Sequence, residues 1–166
     1  MSSGPLNTAT SYGSVARVLH WLTALLILTE IPLGLIANRL PVSNDVELAR
    51  AAQYFSLHKT VGVTIFAVAL VRIAWALCQP RPAALHPERS IATFAASAVH
   101  WSLYLALVLV PLTGWISHAA STGFAPIWAP IGQTLPFVPK SEGVAQIVGS
   151  LHVLFGRVLA VSLLLI

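Results

Sequence analysis

The sequence predicts an all-α, integral-membrane four-helix bundle. Three observations carry that expectation. Hydrophobic residues make up 57% of the 166 and charged residues 8%, with a mean hydropathy of +0.82; an ordinary soluble domain is about 45–50% apolar and about 25% charged. Nine Lys/Arg and five Asp/Glu cannot clothe a soluble fold of this size in charge. Four apolar runs each approach the roughly 20 residues that a membrane-crossing helix needs. They are too long, and too little alternating, for barrel strands.

The first run extends from about Val18 to Ala37 and the second from about Thr60 to Cys78. The third extends from about Phe94 to Ser117 and the fourth from about Val144 to Ile166. The connections are marked by turn formers. Asn38 to Gln53 holds Pro41, Asn44 and Asp45, and Gln79 to Ser90 holds Pro80, Pro82 and Pro87. Thr122 to Glu142 holds Pro126, Pro130, Pro136 and Pro139. No internal repeat or second domain is visible, so residues 1–166 read as one transmembrane domain. The fourth run stops on VSLLLI without an interfacial anchor, which predicts a helix truncated before its natural end.

Composition excludes several functions. The chain is too apolar to be disordered. Its pI is near 9.9, but the net charge is only +4 and scattered, so no basic stripe awaits nucleic acid. Cys78 is the single cysteine, which rules out an intramolecular disulfide, a Cys-x-x-Cys-His haem attachment and thiolate-built zinc or iron–sulfur sites. The opening MSSGPLNTATSYGS lacks a signal-peptide pattern, so the first run reads as a retained helix. Eight of the nine Lys/Arg divide evenly, with Arg17, Arg72, Arg81 and Arg89 on the N-terminal side and Arg39, Arg50, Lys59 and Lys140 on the other, while Arg157 falls inside a span. The short loop with Arg81 and Arg89 favours that loop and the N-terminus in the cytoplasm. The third connection, with Phe124, Trp128 and Phe137, suits an outward interfacial loop.

Each span carries a histidine at or near one end: His20, His58, His100 and His152, with His118 closing the third. Ionisable residues are costly in a membrane and point to function by default. Without thiolates or a carboxylate cluster, neutral imidazoles between helices suit axial ligation of haem. His86 reads as a solvated loop residue and His118 as a capping or interface residue. Glu30, close to Pro32, is either protonated and hydrogen-bonded or lines a wet cavity.

Fourteen residues make almost four helical turns, returning to within about 40° of one face, about 21 Å along the axis. His20 leads in this way to Gly34, His100 to Gly114 and His58 to Arg72. Each face thus pairs a histidine with a residue lacking a side chain or with a cation, which suits two haems stacked across the membrane. Glycine admits a porphyrin, and arginine pairs with a propionate. Gly34 and Gly114 equally suit close helix–helix contact. Gly62 and Gly156 lie four residues after His58 and His152 and could admit a ring edge. Lys59 and Arg157 are further propionate candidates. Trp21, Trp101 and Trp115 lie near the interfaces and need no cofactor to explain them.

These residues resemble the bacterial cytochrome b561 family. The matching stretches are Arg17-Val18-Leu19-His20-Trp21, His58-Lys59-Thr60-Val61-Gly62 and Arg72-Ile73-Ala74-Trp75. They continue with His100-Trp101-Ser102-Leu103-Tyr104, Pro111-Leu112-Thr113-Gly114-Trp115 and His152-Val153-Leu154-Phe155-Gly156-Arg157. The resemblance covers nearly the whole chain in order. It implies a bacterial inner-membrane protein with two b-type haems, each held by two histidines. The outer haem would be ligated by His58 and His152. The other would take His20 and a second fourth-helix histidine about fourteen residues after His152, where this chain has Ile166. His100 is a candidate substitute there. The resemblance further implies electron transfer between a quinone pool and a one-electron partner. Some members pass electrons from superoxide to ubiquinone; others serve a dehydrogenase or hydrogenase. Lys59, Arg157 and Lys140 could draw an anion such as superoxide. Two haem-free readings stand beside this one. A channel or transporter would use His and Arg for ion passage, though Pro32 and Pro111 form no inverted repeat. A structural anchor would use its histidines as helix bridges.

Overall fold

A computed structural model describes residues 4–83, 90–121, 123–128 and 133–164. His86, Arg89, Thr122, Pro130 and Ile166 lie outside the described residues, so the expectations placed on them are not addressed. Four helices follow in order: α1 (Ser14–Ala37), α2 (Asp45–Cys78), α3 (Ser90–Ala120) and α4 (Glu142–Leu164). All four are long and apolar enough to cross a membrane, and no strand occurs among the described residues. The all-α four-helix membrane bundle is therefore the observed fold.

Helix boundaries depart most from expectation in α2, which begins fifteen residues before Thr60. The cause is a local cap. Asn44 is the N-cap, and its side-chain oxygen accepts from the Glu47 backbone N–H at 3.0 Å. Glu47 reaches back and accepts from the Ser43 N–H at 2.9 Å. Asp45 and Glu47 in the first turn also suit the positive end of the helix dipole. At 34 residues, α2 is about 51 Å long, so it outruns a hydrocarbon core of about 30 Å. The excess carries Asp45, Glu47 and Arg50, which belong in water.

Pro32 and Pro111 sit inside α1 and α3 without ending them. Spanning helices tolerate proline where neighbouring helices, Ser/Thr side chains or local adjustments satisfy the freed backbone groups. Backbone packing is close between α1 and α2, α2 and α3, and α3 and α4. Ile27, Ile65, Ala69, Leu107 and Leu159 form a buried cluster to which every helix contributes. Leu25, Leu28, Val71, Leu105 and Val158 point outward, as side chains facing lipid should.

The polar N-terminus is not a free tail. Asn7 donates from its backbone N–H to Gln79 Oε1 and from Nδ2 to Pro80 O, both at 3.1 Å. Ala83 N–H donates to Ala9 O at 2.8 Å. The segment before α1 is thereby strapped to the end of α2. Gly13 permits this, since a Cβ there would collide with the carbonyl of Pro5.

Candidate functional site

Helix direction divides the bundle into two ends. The distal end carries the α1–α2 and α3–α4 connections; the terminal end carries the N-terminus and the α2–α3 connection.

Towards the distal end, His58 on α2 faces His152 on α4. Their ring centroids are 6.0 Å apart and their planes cross at 75°. His152 Nδ1 lies 2.8 Å from the carbonyl of Val110 on α3. Donation from Nδ1 to that carbonyl fixes the tautomer and leaves Nε2 as the acceptor or ligating atom. The same carbonyl accepts from Thr113 Oγ1 at 2.9 Å, so the Val110 oxygen serves two donors. His58 Nδ1 lies 3.0 Å from Glu30 Oε1 on α1. The approach is close but off the line of a well-directed hydrogen bond, and both His58 Nδ1 and Glu30 Oε2 are buried without a hydrogen-bond partner among the described residues. The indole nitrogens of Trp75 and Trp115 share that condition. Such orphaned polar atoms are rare in native structures and each needs an explanation.

Two glycines make the histidine pair possible. A Cβ on Gly34 of α1 would lie 2.7 Å from His58 Cε1 and 3.0 Å from its Nδ1. One on Gly114 of α3 would lie 3.0 Å from both Cε1 and Nδ1 of His152. The space beside each of these glycines is taken by an imidazole ring. Gly62 clears Glu30 instead, since its Cβ would stand 3.1 Å from Oε1. Gly156 has nothing within 4 Å of an added Cβ.

Lys59, beside His58, is engaged by the α3–α4 connection. Its ammonium donates to the carbonyls of Phe124 and Ala125 and lies 3.2 Å from His118 Nδ1. An ammonium has three donors, and these three acceptors account for them. Lys59 thus anchors the α3–α4 connection. His118 is buried and its Nε2 meets Gln133 Oε1 at 3.0 Å, while Gln133 also bonds the backbone of Ile127. Trp128 N–H donates to Thr60 Oγ1 at 2.9 Å. The backbone bends to serve this clamp: Ala125, whose carbonyl meets Lys59, has φ 58°, a left-handed value rare outside glycine. Lys140 donates to Ser121 O at 2.7 Å, and Arg157 is exposed on α4.

At the terminal end, Arg72 Nη2 on α2 lies 3.1 Å from His20 Nδ1 on α1. The same guanidinium lies over the Tyr104 ring of α3, 5.3 Å from its centroid. His100 places Nδ1 2.7 Å from Ala96 O. Among the described residues no ring contact joins His20 to His100.

The described residues hold no cluster of three or more His, Cys, Asp or Glu able to bind a bare metal ion. Haem needs less, because the porphyrin supplies four nitrogens and the protein only two. The distal histidines meet that demand. The two rings, 6.0 Å apart between centroids, would hold a haem iron through one ring nitrogen each. Neutral imidazole donors, the His152 tautomer set by Val110 and the unpartnered indole N–H of Trp115 beside Gly114 complete the fit.

A membrane four-helix bundle with facing histidines on alternate helices fits the class of b-type membrane cytochromes. Residues 11–166 match the family described as prokaryotic cytochrome b561, and the chain belongs to that family. It is similar to cytochrome b561 homolog 2 of Escherichia coli strain K12, with 29% identity over 114 residues. That match covers 69% of this chain and 58% of the relative, so it spans less than two thirds of the relative's length. Membership makes the chain a multi-pass bacterial membrane protein of a family whose chemistry is electron transfer through b-type haem.

Proposed function

We propose that this chain carries electrons across the membrane between a quinone pool and a one-electron partner, using a b-type haem held by His58 and His152. The observation that carries the proposal is the 6.0 Å separation of those two rings across the bundle interior. A bound haem supplies the one-electron chemistry. The chain supplies the two axial nitrogens, the apolar surroundings and the ring orientation set by Val110. His20 and Arg72 define a second level about 21 Å away by helix rise, where His20 would ligate a second haem and Arg72 would face its propionates. Superoxide or a redox protein is the proposed donor and ubiquinone the proposed acceptor. The N-terminus is placed in the cytoplasm, with the distal end outward.

The test is haem content per chain in the purified full-length protein, with reduced-minus-oxidised visible spectra. The wild type should bind b-type haem, and His58→Ala and His152→Ala should each lose one haem equivalent. A full complement in either variant would overturn the distal assignment. Anaerobic reduction by a quinol, set against reduction by enzymatically generated superoxide, then identifies the donor. Reduction by neither would discard both proposed ends of the pathway.

A further inference from the structure

The geometry points to Glu30 as a positioning residue for the distal haem: its carboxylate takes the Nδ1–H of His58 and so strengthens that ligand relative to His152. The inference rests on the haem reading above. Four observations carry it. Glu30 Oε1 lies 3.0 Å from His58 Nδ1. Both Nδ1 and the second oxygen, Oε2, are buried without a hydrogen-bond partner among the described residues, so a small turn of either side chain would satisfy Nδ1 on the carboxylate. Glu30 stands one turn before Gly34, so a single face of α1 supplies both the carboxylate and the recess that seats the His58 ring. Gly62, one turn after His58, keeps α2 clear of the carboxylate, with the 3.1 Å that its missing Cβ would take.

A carboxylate within a membrane span is expensive and is retained for a purpose. A histidine ligand commonly gives its second N–H to a carboxylate or a carbonyl, which orients the ring and raises its basicity. Here the two ligands differ. His152 gives its proton to the neutral carbonyl of Val110, whereas His58 meets a carboxylate. The more electron-rich His58 favours the ferric over the ferrous state, so Glu30 holds the haem potential down.

Glu30→Gln keeps shape and an acceptor while removing the charge; Glu30→Leu removes both. In the full-length haem-loaded protein, Glu30→Gln should retain wild-type haem content and weaken the ferric preference about tenfold, the low end of outer-shell effects. For a one-electron couple that is a rise of about 59 mV in midpoint potential. The low-spin EPR principal values should change too, because the donor strength of an axial imidazole has changed. Gly62→Ala, which crowds Oε1 without altering Glu30, should shift both readouts in the same direction. Unchanged potentials and EPR in Glu30→Gln and Gly62→Ala would overturn the inference. So would a shifted potential with unchanged EPR, which is the mark of a nearby charge that does not act through the ligand. If His58→Ala keeps its full haem, the haem reading itself fails, and the two failures are thereby distinguished.

Discussion

Gly34 and His58 meet so closely that a single added methyl group could not be placed between them: a Cβ on Gly34 would stand 2.7 Å from His58 Cε1. Close approach, rather than backbone freedom, is the reason for glycine here. The first prediction concerns that contact. Gly34→Ala must push the His58 ring or separate α1 from α2, a form of overpacking that costs about 1–3 kcal/mol. Haem per chain and the thermal unfolding midpoint should both fall. Gly156→Ala is the matched control, since no atom lies within 4 Å of its added Cβ. It should keep full haem, with helix propensity improved by up to about 1 kcal/mol. Equal haem retention in both variants would refute the packing argument.

The α3–α4 connection yields the second prediction. Lys59→Met keeps much of the side-chain length but leaves the carbonyls of Phe124 and Ala125 and the His118 nitrogen without their shared donor. Hydrogen bonds to a charged group contribute about 1.5–3 kcal/mol, so a loss of about 2 kcal/mol is expected. The loop at 123–128 should become the first site of limited proteolysis while helix content, read by far-UV circular dichroism, stays the same. Protection equal to wild type would show that the loop is held by other contacts.

The heights of the functional side chains were legible in the sequence; their partners were not. Helical return over fourteen residues sets Gly34 and Gly114 four turns from His20 and His100, and Arg72 four turns from His58. In the structure Arg72 does stand level with His20, and Gly34 with His58. Periodicity fixes angle and height on one helix, but it does not say which neighbour fills the gap. The two glycines are thus legible as points of close approach, while the imidazoles beside them are not. Glu30 stands out in the sequence as an isolated acid, but its approach to His58 depends on the rotation of α1 against α2. The Lys59 clamp depends on a loop whose path follows from left-handed Ala125, which carries no sequence signature. The early start of α2 was different. Its signal, Asn44 followed three residues later by Glu47, lies in plain view and was outweighed by the polar, turn-rich composition of its surroundings.

That cap gives the third prediction. Asn44→Ala removes the acceptor for the Glu47 N–H and should cost about 1 kcal/mol. The damage should stay local, because the first turns of α2 are charged and lie beyond the hydrocarbon core. Amide hydrogen exchange across 45–53 should accelerate, with exchange across 60–78 and haem content unchanged. Faster exchange throughout α2 would mean that the extension supports the spanning part.

Arg72 supports the fourth prediction, because it joins three helices at the terminal end: its own α2, His20 on α1 and the Tyr104 ring on α3. A guanidinium stacked on an aromatic ring and directed at an imidazole is not replaced by an ammonium of similar charge. Arg72→Lys should therefore behave more like Arg72→Leu than like wild type. Both should weaken retention of any haem ligated by His20, while the distal pair, about 21 Å away by helix rise, keeps its own. In a redox titration monitored in the visible region, the component lost in His20→Ala should be the one reduced in amplitude in the Arg72 variants. The component lost in His58→Ala should persist in them. If the Arg72 variants instead deplete the His58 component, the two levels are not independent and the separation of sites along the bundle is wrong.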